Sequence, residues 1–184
     1  ASDYDITDTA AALISATDDV LNVSGVDTVT VSDGPVLADT GEKLAELSKD
    51  VEFDVLDTAD NVAAEVTGSN VASDLDEANK VVVSGGDVTA ADAAAIQAIS
   101  GYNDSASDYD ITDTAAALIS ATDSVLDKAG VDVVTVSDGA VTAADGAILN
   151  GFIADVEYSV ADSAANIVTH SANLSEANHI QVVD

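Results

Sequence analysis

Ala1–Asp18, ASDYDITDTAAALISATD, returns without a single change as Ala106–Asp123. A verbatim copy displaced by 105 residues marks a chain built by duplication, so its reading turns on what successive copies do together. Inside the stretch, Tyr4 and Ile6 alternate with Asp5 and Thr7, which is the period of a short strand with one buried face. The strand runs straight into Asp8-Thr9-Ala10-Ala11-Ala12-Leu13-Ile14, where a side-chain oxygen can cap the first free N–H groups of a helix. That helix is expected to place Leu13, Ile14, Val20 and Leu21 on one face, with Val62, Leu118 and Ile167 at the position of Leu13.

A shorter period lies beneath the long one. The corner at Tyr4–Ala10 recurs as Phe53–Ala59, as Tyr109–Ala115 and as Tyr158–Ala164, in steps of 49, 56 and 49 residues. A second set of β-branched runs falls between these corners, at Thr28–Ser32, Lys80–Ser84, Val133–Ser137 and His179–Val183. Asp87–Ile96 and Ala140–Asp145 read as Thr-capped helices with an acidic third position, and Pro35 suits the same helix start in the first unit, though Leu37 replaces the capping Thr.

Each unit therefore reads strand, helix, strand, helix. The expected fold class is α/β, with tandem βαβα repeats and parallel strands joined by right-handed crossovers. Thin layers of Ala and Val favour an α/β solenoid, the alternative being two small α/β domains in tandem joined near Gly101–Ser105. The expected division is a first repeat pair at 1–105 (units 1–50 and 51–105) and a second at 106–184 (units 106–155 and 156–184). The last unit is cut short at Asp184.

Composition narrows the function. Hydrophobic residues make up 47% of the chain, ample for a core, although aromatics are only 3%. Against 35 acidic residues stand four basic ones, all Lys (Lys43, Lys49, Lys80 and Lys128), for a net charge of −31. Such a chain repels nucleic acid and anionic lipid, and it lacks the arginine fork that grips phosphate, so no nucleic-acid partner is expected. No run approaches the length needed to cross a bilayer, so no membrane insertion is expected either. Self-repulsion on this scale calls for a saline or cation-containing surrounding. Without Cys there is neither a disulfide framework nor a thiolate metal site; with no Met and Ala at position 1, the chain reads as a processed product or a segment of something longer.

Calcium is the one cofactor the residues raise. Asp8, Asp57, Asp113 and Asp162 recur at one position, so stacked units would set their carboxylates in a row. They either cap helices or share cations between neighbours. Ser137–Asp145 carries a D-G-x-V-T-x-x-D string that resembles the second half of an EF-hand or dockerin loop and adds Asp138 and Asp145 as candidates. Val134 and Val136 stand where such loops place their first acidic ligands. His170 and His179 have no partner at ligand spacing, and Asn22, Asn103 and Asn173 lie in N-x-S sequons.

The recurring Y-x-I-x-D-T-A-A-x-L and V-x-V-S-D-G-x-V-T-x-A-D motifs resemble repeats of very large acidic bacterial surface proteins. These are commonly exported by the type I route and include adhesins, S-layer-like proteins and RTX-type giants. The resemblance implies an extracellular structural role in a surface layer, fibre or adhesin stalk, with self-association between units. The alternative is an adhesion module for a carbohydrate or protein partner on a cell surface. No nucleophile elbow, phosphate loop or catalytic carboxylate pair stands apart from the repeats, so no enzymatic activity is expected.

Overall fold

The computed structural model describes residues 3–16, 18–68 and 74–183; Ala1, Ser2, Thr17 and Asp184 of the stretches quoted above lie outside them. The opening strand β1 (Tyr4–Asp8) turns directly into α1 (Ala10–Ser15). Thr9 makes that turn possible: its backbone is extended (φ −68°, ψ 152°) and its Oγ1 accepts the N–H of Ala12. Ala16 leaves the helical region at ψ 150°, so the single helical face expected through Leu21 is split, and a short second helix, α2 (Asp18–Leu21), follows. Leu13 and Leu21 are buried at 2% and 1% exposure, whereas Val20 is 54% exposed because the break turns it away from the core.

The same alternation continues through β2 (Val26–Val31), α3 (Ala38–Ala45), β3 (Asp54–Asp57), α4 (Ala59–Gly68), β4 (Lys80–Val88) and α5 (Ala90–Ala98). The second half runs β5 (Asp108–Asp113), α6 (Ala115–Ser120), α7 (Asp123–Leu126), β6 (Val131–Val136) and α8 (Ala143–Leu149). It ends with β7 (Val156–Glu157), β8 (Ser159–Asp162), α9 (Ala164–His170) and β9 (His179–Val182). Leu37 stands at the cap of α3 in place of Thr, as expected, with Pro35 two residues ahead of it. Val36 is held in a parallel bridge to Val55, so the helix cannot start before Leu37, which caps it without a side-chain bond.

Every strand pairing is parallel. β3, β4, β5, β6 and β7 form a five-stranded sheet in chain order, flanked in sequence by the pairs β1–β2 and β8–β9. Isolated bridges reach across the gaps: Thr30 to Glu52 and Val36 to Val55 on one side, Val141 to Val160 on the other. The α/β class with parallel strands is thus the architecture observed. Pairing of β4 with β5, Ser84 with Asp108 and Val88 with Ile111, carries the sheet past the 105/106 boundary.

Packing follows the two-residue alternation. Tyr109 (1% exposed) and Ile111 (0%) point inward from β5, as Val81 and Val83 (both 0%) do from β4. The fourth residue of each longer helix alternates in size. Val62 and Leu118 are large and fully buried, while Gly41, Ala93 and Gly146 are small. A Cβ on Gly41 would lie 3.1 Å from the Phe53 ring, and one on Gly146 would lie 2.9 Å from Val160 and 3.1 Å from the Tyr158 ring. Small helices therefore make room for the aromatic of the strand that follows them, which is how a core with so few aromatics is filled.

Candidate functional site

The feature that recurs at the strand–helix corners is the aspartate, and its two oxygens do different jobs. Oδ1 stays local, accepting the N–H of the next residue: Thr9 from Asp8 at 2.8 Å, Thr58 from Asp57 at 2.8 Å, Thr114 from Asp113 at 2.7 Å, Ser163 from Asp162 at 2.7 Å. Oδ2 reaches back to the first helical N–H of the preceding unit. Ala38 donates to Asp57 at 3.0 Å, Ala90 to Asp113 at 3.1 Å and Ala143 to Asp162 at 3.0 Å. Each carboxylate thereby occupies the positive end of one helix while bracing the start of the next.

The second set of strands uses the same device. Ala10 donates to Asp33 and Ala115 to Asp138, both at 3.0 Å. Asp33 was not among the sequence candidates. The signal for it was the shared Ser-Asp-Gly at Ser32–Gly34 and Ser137–Gly139, whose meaning depends on a donor 23 residues earlier. At the equivalent place, within β4 where its register to β5 shifts, the chain carries Gly85-Gly86 in left-handed conformation (φ 72° and 104°), and a Cβ on Gly86 would lie 3.1 Å from the Ala59 nitrogen. There the backbone itself closes over the helix start.

The calcium candidates are placed as follows. Asp57, Asp113 and Asp162 are shared between helices as above, Asp138 takes the Ala115 N–H, and Asp145 accepts the Thr142 hydroxyl at 2.7 Å while its own N–H donates to that hydroxyl's oxygen at 3.1 Å. Asp8, exposed, holds only the Thr9 N–H among the described residues. Strands of the two kinds alternate, so equivalent aspartates lie about 10 Å apart rather than on adjacent strands. Among the described residues no three His, Asp or Glu side chains gather as a metal site. Calcium and magnesium at equal millimolar concentration are expected to raise the melting midpoint, followed by circular dichroism, by the same amount through screening. A rise specific to calcium would contradict this.

Asp5 and Asp110 serve another purpose. The β1–β2 and β5–β6 registers slip by one residue, and the displaced N–H groups of Thr28 and Val133 are taken by Asp5 and Asp110 at 3.3 and 3.2 Å. Ion pairs contribute little by comparison. Among the described residues Lys43–Asp39 (3.0 Å) and Lys128–Asp104 (3.9 Å) are formed, both solvent-exposed.

The Asp162 carboxyl is held below the usual carboxylate range, chiefly by the Asn166 amide and then by the backbone N–H groups of Ala143 and Ser163. A lowered value means that its contribution to stability is present above the unfolded value of about 3.9 and is lost as the pH falls through the folded one. In a carbon-13 carboxyl titration, Asp162 is expected to protonate at lower pH than an unstructured Asp, and Asn166→Ala to shift it upward.

Other chemistry is sparse. Phe53, Tyr109 and Tyr158 are buried (3%, 1% and 3% exposed), Tyr102 and Phe152 are half-buried, and Tyr4, at 47%, is exposed. A shallow groove of about 410 Å³ beside α5 and α6 is lined largely by alanines, with Asp113 its one titratable group. His179 is exposed on β9, and the His170 ring rests 3.0 Å from the Asn166 carbonyl. No helix among the described residues is long and apolar enough to cross a membrane.

The fold and this corner define a parallel α/β protein whose recurring polar feature is a carboxylate shared between successive helix starts. No protein-family profile matches the chain, and neither does any curated protein or solved structure.

Proposed function

We propose that the chain is an extracellular structural repeat module, part of a surface layer, fibre or adhesin stalk, in which an α/β solenoid acts as a rigid spacer. The observation that carries this reading is the shared aspartate: the Ala90–Asp113 bond across the 105/106 boundary is of the same kind as those within each half. A seam between two independent domains would interrupt the series; a solenoid repeats it. Strand pairing in chain order supports the same reading, since each unit then meets only its neighbours.

Charge fits the location. A net −31 is tolerable where salt limits its range to about 8 Å, and it keeps the sides of a spacer from adhering to other acidic surfaces. Its polar groups are spent on backbone N–H groups at the corners, which suits a part whose work is to hold length. Binding of a glycan draws little support from the aromatics, of which Phe53, Tyr109 and Tyr158 are buried and Tyr102 and Phe152 half-buried.

Electron tomography of intact source cells labelled with an antibody to the chain tests the reading. Label at regular spacing outside the outermost membrane is expected. Label confined to the cytosol would overturn it.

A further inference from the structure

Because Ala1–Asp18 and Ala106–Asp123 are identical, the molecule contains its own control for what covers that sequence. In the interior copy, β4 and α5 lie against it. Tyr109 is 1% exposed, Ile111 0% and Val125 half-buried. In the first copy Tyr4 is 47% exposed, Ile6 half-buried and Val20 54% exposed. The Oδ2 atom of Asp113 receives the Ala90 N–H, whereas among the described residues the exposed Asp8 holds only the N–H of its neighbour Thr9.

We propose that the β1–α1–α2 face is a docking surface for a further unit of the Lys80–Ser105 kind, supplied by a second repeat module. The structure supplies the details of the fit. A parallel strand would pair with β1 as Ser84 and Val88 pair with Asp108 and Ile111, and the first N–H of its helix would reach Asp8 as Ala90 reaches Asp113.

The face also selects which unit it takes. Gln97 donates from α5 to the Tyr109 hydroxyl at 2.8 Å and to the Val125 carbonyl at 2.9 Å. The corresponding helix position is Ala45 before Phe53, which has no hydroxyl. Before Tyr158 it is Asn150, which instead accepts from Ser175 and Glu176, and the buried Tyr158 hydroxyl has no hydrogen-bond partner among the described residues. Tyr4 stands in the Tyr109 sequence, so the matching unit is the one with glutamine at that position.

This inference rests on the spacer reading, and its test is separable from it. In a chain with a second copy of residues 51–105 placed ahead of Ala1, the Tyr4–Thr7 amides should exchange at least about tenfold more slowly than in the 184-residue chain, matching Tyr109–Thr112 by NMR. Alanine at the added copy's Gln97, or an added copy of residues 106–155 instead, should give clearly less protection. Unchanged exchange at Tyr4–Thr7 would overturn the proposal, as would added residues that stay unprotected, since docking is what orders them. Equal protection by the 106–155 copy would overturn the selectivity. None of these results would move the location of the label on cells.

Discussion

Tyr109→Ala is expected to destabilise the chain by about 3–5 kcal/mol, the range for removing a fully buried aromatic, with Gln97 also losing one of its two acceptors. Tyr4→Ala, in the same local sequence, is expected to cost under about 1 kcal/mol, because its ring is already 47% exposed and little transfer energy is lost. Urea unfolding followed by circular dichroism measures both. Two equal losses would mean that the burial difference between the copies does not exist in solution. Tyr109→Phe separates the parts, keeping the packing and removing only the hydroxyl, for about 1 kcal/mol.

Asp57→Ala should be the most costly of the carboxylate substitutions, at about 2–4 kcal/mol. Asp57 is 8% exposed and accepts from the Ala38 N–H, the Thr58 N–H and the Asn61 amide, so its removal strands donors that water reaches poorly. Asp113→Ala, with the Ala90 and Thr114 donors, should cost about 1–3 kcal/mol. Asp8→Ala should fall below about 0.5 kcal/mol, since it frees only the exposed Thr9 N–H. Each substitution also removes one negative charge from a chain of net −31, which works against the loss. The ranking therefore reads the shared hydrogen bonds, and a flat series would show that the carboxylates do no more than carry charge.

The sequence was legible where structure is decided locally. β-Branched runs became strands, and Thr9, Thr89, Thr114 and Thr142 cap helices through the N–H three residues on. Parallel pairing followed from strands and helices alternating at short spacing. What sequence left open was the purpose of the aspartates, because capping and cation sharing require the same residue at the same place. The deciding donors lie 19 or 23 residues earlier, in a unit that register alone brings alongside.

Tyr4 shows the other limit. Its local sequence is that of Tyr109 to the letter, yet burial is set by what the neighbouring unit places over it. Val20 was misplaced for a related reason, by a helix break at Ala16. In each case a neighbouring element or a backbone bend overrode a sound local preference.

Small-angle X-ray scattering on a chain carrying one additional copy of residues 1–105 tests the solenoid reading most directly. Four further strands in the same stack should lengthen the particle by about 19 Å with an unchanged cross-section, at about 4.8 Å per strand. A dumbbell profile, longer by about 30 Å or more and with a variable separation between two compact bodies, would contradict it.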